Sequence, residues 1–538
     1  MIVRPSCLFL SFLVSLGSAE LTIKRQPVPL ARRQAPGVVQ CAAATYDDVP
    51  RALAACNFVS IYNITVPAGQ TLDLTTAQPN SVIFFGRAIT FLPSPGFAGP
   101  LVRFSGNSGL YVNGGAGAFD GFGSGYWPSG SSGPVVVSIE NVQNSTFEKL
   151  VVANSPQTAV SISGGSGLKF RGIKVLNQAA FVSNASTSLD AVSVSNSNSI
   201  AFTNLNITTT GKCFNLKSGS DFTLTNATCL GGGFTIDSPS TDSVTSRLTF
   251  NNLNITSRGT CIDVQNGASI AFNTATCNGG PVTVGTDPSV PTSQIAFNNL
   301  NVATAAAAAL EIRTGSTIDV KTASLNGGNV LIGSGQGAKT SQVTLNGVTV
   351  NSTSSACVDV QSGTSISVAG TICNGAGISI GNTQNATTIS GVTVQQSMVN
   401  NAATGLQVVS LGAKKNSGGF LGGLIGGIGG AAGGGSGSSI FDVTFQDIFL
   451  NNITSLGVLI AQDFADGQES GVVSTTFVKP IKNLELTNVV GTTVGSAANY
   501  KIVANLFTCL GADFNNVNVV GGSGQSTCSC RPQGFVCS

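Results

Sequence analysis

The chain has 538 residues, with 25 Lys and Arg against 23 Asp and Glu, and only 9% of its residues are charged. That near balance gives no basic field to hold nucleic acid or an anionic membrane surface. There is no histidine, which excludes a His general base, a Ser-His-Asp triad and a histidine-ligated metal.

The chain begins MIVRPSCLFLSFLVSLGSA. Arg4, an apolar run from Cys7 to Leu16 and small residues up to Ala19 predict a signal peptide over 1–19, too short for a transmembrane anchor. Lys24-Arg25 and Arg32-Arg33 are dibasic pairs, so 20–33 reads as a propeptide and 34–538 as the mature domain. Without residues 1–33 there are 20 basic and 22 acidic groups, a net charge of −2. Cysteine usage agrees with export. Thirteen cysteines less Cys7 leave an even twelve, as a disulfide framework requires. Cys41 and Cys56 are expected to pair. The Asn-X-Ser/Thr acceptor pattern of N-glycosylation occurs at Asn63, Asn144, Asn184, Asn206, Asn226, Asn254, Asn351, Asn385 and Asn452.

The middle of the chain, about 200–391, holds four units that repeat every 48 residues. CFNLKSGSDFTLTNATCLGG, CIDVQNGASIAFNTATCNGG, ALEIRTGSTIDVKTASLNGG and CVDVQSGTSISVAGTICNGA are versions of one segment. Their cysteines come and go in pairs: Cys213 with Cys229, Cys261 with Cys277, Cys357 with Cys373. Ala309 and Leu325 replace both in the third unit. Each pair is therefore expected to be one disulfide across a short loop. Within a unit, segments such as CIDVQ and SIAFNT alternate apolar and polar residues and are cut by Asn-Gly, Gly-Gly and Ser-Gly turns, which predicts strands. Strands this short cannot bury a core within one unit, so neighbours must stack. Each unit is read as two coils of roughly 24 residues, stacked at about 4.8 Å. The fold class is all-β, a single-stranded parallel β-helix, with Ile262 and Val264 facing in and Cys261, Asp263 and Gln265 facing out. A propeller would want an aromatic signature in every blade, and the chain has one tryptophan, Trp127. No long stretch shows helical periodicity.

The segment 417–439 is glycine-rich with scattered Leu and Ile, and reads as a loop inserted between coils. Cys509, Cys528, Cys530 and Cys537 form two further bridges of open connectivity.

Outside the repeats, VPAGQTLDLTTAQPNSVIFFGRAITF and GPLVRFSGNSGLYVNGGAGAFDGFGSGYW resemble the opening coils of fungal endopolygalacturonases, glycoside hydrolase family 28. FDVTFQDIFLNNITSLGVLIAQDFADG and IKNLELTNVVGTTV resemble the closing coils. The resemblance implies a right-handed parallel β-helix that hydrolyses polygalacturonic acid with inversion and needs no cofactor. It also implies three catalytic aspartates, a Gly-His-Gly histidine and an Arg-Ile-Lys strand. The family's Asn-Thr-Asp-Gly falls on Ser188, Leu189, Asp190 and Ala191, where only the aspartate survives. Its Asp-Asp-Cys falls on Gly211, Lys212 and Cys213, and its Gly-His-Gly on Gly231, Gly232 and Gly233. Arg-Ile-Lys falls on Gln407, Val408 and Val409. Registers shifted into later units offer Ala376 for the histidine and Glu311-Ile312-Arg313 for the basic strand.

Inverting chemistry needs one carboxylic acid and one carboxylate about 6.5–9.5 Å apart. Asp190 alone cannot be both, and Lys212 is expected to pair with it and hold it ionised. A second set of acids, Asp263, Glu311 and Asp359, recurs at one outward position of successive units, with Asn215 in the first. Two coils separate neighbours, about 9.6 Å, and these acids are expected to be solvated. The expected function is that of a secreted, monomeric, wall-associated relative without hydrolytic activity. Its expected partner is an acidic plant or fungal cell-wall polysaccharide, held near Asp190 and Lys212. An active hydrolase with a rebuilt site and a structural cell-surface rod are the alternatives.

Overall fold

The computed structural model describes residues 39–537 except 128–132, 183–188, 238–244, 288–291, 335–339, 353, 355, 382–387, 412–438, 466–467, 470–480, 505–507 and 510. The expected signal peptide and propeptide, Asn184, Asn385 and nearly all of the glycine-rich segment lie outside the described residues.

The chain winds as a right-handed parallel β-helix, the hand that parallel crossovers strongly prefer. Coils in the repeats contribute one short strand of three to five residues to one sheet and one long strand to another, the long strand being broken into Gly363–Ala369 and Ile372–Asn374 in the fourth unit. In the short-strand sheet Phe214, Phe234, Ile262, Val282, Leu310 and Val330 stack in register. Successive coils therefore advance by 20, 28, 20, 28 and 20 residues. Two unequal coils, rather than two of 24, make the 48-residue period.

The long strands bend twice, so one strand covers two faces of the coil. The bends are residues at positive φ, five apart: Ser199 and Asn204, Asp221 and Asn226, Arg247 and Asn252, Asp442 and Asp447, Asn483 and Asn488. Asn and Asp tolerate this left-handed region better than other non-glycine residues. Stacking the bends also stacks their side chains. Asn226 Nδ2 donates to Asn204 Oδ1 at 3.2 Å, and Asn252 Nδ2 to Asn226 Oδ1 at 2.9 Å. Asn351 and Asn452 likewise donate from Nδ2 to Asn326 and Asn401. These three sequon asparagines are rungs of ladders. Asn63, Asn144, Asn206 and Asn254 are exposed as well.

The core is the inside of the coil. Inward residues of the long strands form a column in which Phe147 stacks on Phe170 and Phe170 on Phe202, with ring centroids 5.1 and 4.5 Å apart. Phe250, Phe272 and Phe297 continue it at 4.8 and 4.9 Å. Such pairs contribute about 0.5–1.5 kcal/mol each beyond the area they bury. One amphipathic helix, Asp48–Ala55, buries Val49, Ala52 and Leu53 against the first coils. Eight residues are too few to show as a long periodicity, and the helix acts as the polar-faced cap that a solenoid end needs.

Six disulfides are present: Cys41–Cys56, Cys213–Cys229, Cys261–Cys277, Cys357–Cys373, Cys509–Cys530 and Cys528–Cys537. The expected outward orientation of Cys261 is wrong. Cys261 and Cys277 are both fully buried, as are Ala309 and Leu325 in the third unit. The bridge lies inside the coil, and where it is absent buried Ala309 and Leu325 stand at its two positions. Among the described residues no helix is long and apolar enough to cross a membrane.

Candidate functional site

Asp190 and Lys212 lie just before the short strands Val192–Ser195 and Phe214–Leu216, whose residues pair Val192 with Phe214. The register continues from Phe214 to Phe234, so Asp190, Lys212 and Gly232 occupy one position on three successive coils. The structure thus brings the three sequence-aligned positions together. Asp190 is half-buried. Its Oδ1 accepts the backbone N–H of Lys212 at 3.0 Å, and its Oδ2 accepts Asn215 Nδ2 at 3.2 Å. The expected ion pair is not formed. Among the described residues no carboxylate lies within ion-pair distance of Lys212. The peptide N–H of Lys212, not its ammonium, is what faces the carboxylate. Beside them, Asn215 Oδ1 is buried without a hydrogen-bond partner.

Gly232 has no room for a side chain. A Cβ built there would lie 1.6 Å from the carbonyl oxygen of Gly211. The backbone has closed over the position where the resemblance implies a histidine, and Gly280 repeats the arrangement against Gly259 in the next unit. Gln407 faces outward on its short strand, but Val408 and Val409 are buried. Ala376 is buried too.

The acid ladder has a different character from the one expected. One outward column of the short-strand sheet runs from Asn215 through Thr235, Asp263, Thr283, Glu311 and Leu331 to Asp359. Its acids are half-buried rather than freely exposed, and each is held by donors. Asp263 accepts Thr283 Oγ1 at 2.8 Å and Thr286 Oγ1 at 3.0 Å on Oδ1, and Gln265 Nε2 at 2.8 Å on Oδ2. Glu311 accepts Arg313 Nε at 3.0 Å and Ser334 Oγ at 2.7 Å on Oε1, and Arg313 Nη2 at 3.1 Å on Oε2. Asp359 accepts Gln361 Nε2 at 2.8 Å. Its carboxyl is pushed above the usual aspartate range, first by burial, with bonds from Gln361 and Ser379 opposing the rise. The recurring device is a side chain two residues along the strand, therefore on the same face, that reaches back to grip the acid. The sequence carried it as Asp-Val-Gln, Glu-Ile-Arg and Asp-Val-Gln, but the hydroxyl clamps come from the next coil.

A cleft of about 490 Å³ opens beside this column, with Asp263, Gln265, Thr283, Thr286, Asp287 and Arg313 among its walls. Arg313 has its pKa raised, chiefly by its bond to Glu311, and Asp263 adds to the rise. Sequence reading missed the cleft, because its walls belong to three coils whose lengths alternate. Among the described residues no cluster of three or more His, Cys, Asp or Glu could hold a metal ion.

The sequence model of glycosyl hydrolases family 28 matches residues 56–252 and 429–537, more than half of the chain. The chain belongs to this family. The stretch between the matched parts contains most of the repeats and the cleft at Asp263. Endopolygalacturonase I of Aspergillus oryzae is 32% identical over 232 residues, 41% of this chain and 62% of that protein. Endopolygalacturonase 1 of Colletotrichum lindemuthianum is 30% identical over 238 residues, 42% and 63%. The chain thus spans about three fifths of the length of these curated relatives. Among solved structures, endopolygalacturonase I from Stereum purpureum, complexed with two galacturonates, aligns with 79% of this chain and 98% of its own. Its identity is 18% and its TM-score 0.35. Endo-xylogalacturonan hydrolase from Aspergillus tubingensis aligns with 93% and 99%, at 14% identity and a TM-score of 0.27.

Proposed function

We propose that this family member binds acidic cell-wall polysaccharide outside the cell and does not hydrolyse it. The observation that carries the reading is the stack of Asp190, Lys212 and Gly232. It holds one carboxylate, one cation and one position closed to any side chain. Inversion needs a second carboxyl group to pair with the first. The acids of the ladder, Asp263, Glu311 and Asp359, each accept bonds from threonine, serine, glutamine or arginine donors. What remains is a sheet face with the Lys212 cation, in an ion pair with no carboxylate among the described residues, which favours a galacturonate polyanion where an acid would repel it. Six disulfides support an oxidising, extracellular compartment, and the near-neutral composition gives no support to a nucleic-acid partner.

The test combines two measurements on secreted protein. Reducing-sugar release from polygalacturonate is expected to be absent. Calorimetry with oligogalacturonides is expected to show weak binding that fades at high salt, since exposed charges are screened beyond about 10 Å at 0.1 M. It is expected to vanish in Lys212→Glu. Turnover that disappears in Asp190→Asn would overturn the non-hydrolytic reading. Binding indifferent to Lys212→Glu would overturn the groove and leave the structural rod.

A further inference from the structure

We propose that the cleft at Asp263 and Arg313 is a second saccharide site, built by the repeats, and that it takes neutral sugar rather than uronate. It rests on reading the protein as a glycan binder but not on the groove at Asp190. On the short-strand sheet Asp263 lies three coils from Asp190, about 14 Å at the inter-strand spacing, and two coils from Lys212, about 10 Å.

The volume, about 490 Å³, falls within the range of small-ligand sites. The walls present both donors and acceptors. Thr283 and Thr286 spend their protons on Asp263, so their oxygens are left as acceptors. Asp263 keeps acceptor capacity on Oδ2, where only Gln265 bonds. Glu311 takes Nε and one Nη2 proton of Arg313, which leaves three of its five N–H donors. Arg313 is exposed and held in place, so little side-chain entropy remains to be lost on binding. A vicinal diol, each hydroxyl both donor and acceptor, matches this mixture.

Charge selects among sugars. Asp263 and Arg313 line the cleft, and Glu311 neutralises that arginine, so these three groups sum to −1. A uronate carboxylate entering here would meet net repulsion, whereas a neutral pyranose or furanose would not.

Copying does not account for the site. At the position of Arg313 the neighbouring units carry Gln265 and Gln361, and at that of Thr283 the next unit carries Leu331. The cleft arises where an acid clamped by threonines meets the one arginine of the series. It also lies in the stretch that the family model does not match.

The probes are short neutral oligomers of galactose and of arabinose, with oligogalacturonide as the contrast. All are tested by calorimetry on the full chain at low and high salt. The expected result is binding of a neutral oligomer that is indifferent to salt and to Lys212→Glu. It should weaken at least tenfold in Thr286→Val and in Arg313→Gln. Melting curves of both variants check the fold, and Arg313→Lys separates the guanidinium fork from charge by failing to restore affinity. Three outcomes overturn the proposal: no binding of either neutral oligomer, neutral binding unchanged in both variants, or oligogalacturonide binding that is lost in Arg313→Gln. Loss of oligogalacturonide binding in Lys212→Glu alone concerns the other groove and leaves this one standing.

Discussion

The carboxylate of Asp190 accepts the peptide N–H of Lys212 from the next coil at 3.0 Å, while the Lys212 ammonium forms no ion pair with it. Two neighbours on adjacent coils are therefore tied through backbone rather than through charge. A hydrogen bond to peptide N–H survives high salt, whereas an exposed ion pair does not. It fixes the turn that leads into the short strand. The aspartate thus holds backbone and Asn215 in a position where the family resemblance implies a catalytic residue.

Removing that carboxylate has a graded consequence. Asp190→Ala strips the acceptor from the Lys212 N–H and from Asn215 Nδ2. Leaving part-buried donors unmade costs about 1–3 kcal/mol. Asp190→Asn keeps one oxygen for the peptide N–H. Its new amide then faces Asn215, which can turn over and offer the Oδ1 that now has no partner. Urea unfolding is expected to show a clear loss of midpoint for the alanine variant and a change under about 1 kcal/mol for the asparagine one. Equal losses would count against this account of Asn215.

The second prediction concerns Gly232. Restoring a histidine by Gly232→His cannot rebuild the site, because the first side-chain atom would sit 1.6 Å from the Gly211 oxygen. Backbone must shift, and the expected cost is at least about 3 kcal/mol, at the high end for a single substitution. Gly259→His is the control, since nothing lies within 4 Å of a Cβ there. Secretion yield and melting temperature should fall for the first and hold for the second.

Much of this architecture was legible in the sequence, and for specific reasons. Paired loss of cysteines at Ala309 and Leu325 pointed to the repeat bridges, because a disulfide needs both partners. Alternation in CIDVQ placed Ile262 and Val264 inside, since side chains on a strand change face at every residue. The same rule misplaced Cys261, which immediately precedes the strand Ile262–Val264, where the chain has not yet entered the alternating pattern and the side chain is buried. The acid ladder was visible as a spacing, but the oxygen partners were not. Thr283 and Thr286 come from a coil 20 residues on, and which coil lies beside which depends on the alternation of 20 and 28 residues. Lys212 was seen beside Asp190, yet sequence cannot tell whether ammonium or peptide N–H faces the carboxylate.

The third prediction uses pH. Burial pushes the Asp359 carboxyl above its ordinary value of 3.8. The folded protein then holds this proton to higher pH than the unfolded chain does. Stability from this group is therefore greatest below the ordinary value, falls as pH rises through the folded value, and stays lower at neutrality. Asp359→Asn removes the charge and keeps an oxygen for Gln361 Nε2, which donates to Oδ2 at 2.8 Å. The variant is expected to melt higher than the parent at pH 7, and the gap should close below pH 3.8. A gap that is constant with pH would show that burial of the charge is not its cause.

The third repeat unit offers its own control for the disulfides. Cys261 and Cys277 are bridged inside the coil with Cα atoms 5.9 Å apart, and Ala309 and Leu325 stand at the equivalent positions, all four fully buried. A bridge closing a loop of this length contributes roughly 3 kcal/mol in the chain-entropy account. The double substitution Cys261→Ala with Cys277→Leu reproduces the packing of the third unit. It is expected to lose most of the entropic part while regaining contact between small and large apolar side chains, so about 2–3 kcal/mol in all. The single change Cys261→Ala loses the same constraint, gains nothing in packing and leaves a buried thiol, so it should cost more than the double. Guanidinium unfolding of the three proteins without reductant orders them as parent, double variant, single variant. With reductant the parent should fall toward the double variant. If the double variant is instead the least stable of the three, the third unit is no substitute for a bridged one, and its Ala–Leu pair depends on neighbours that the second unit lacks.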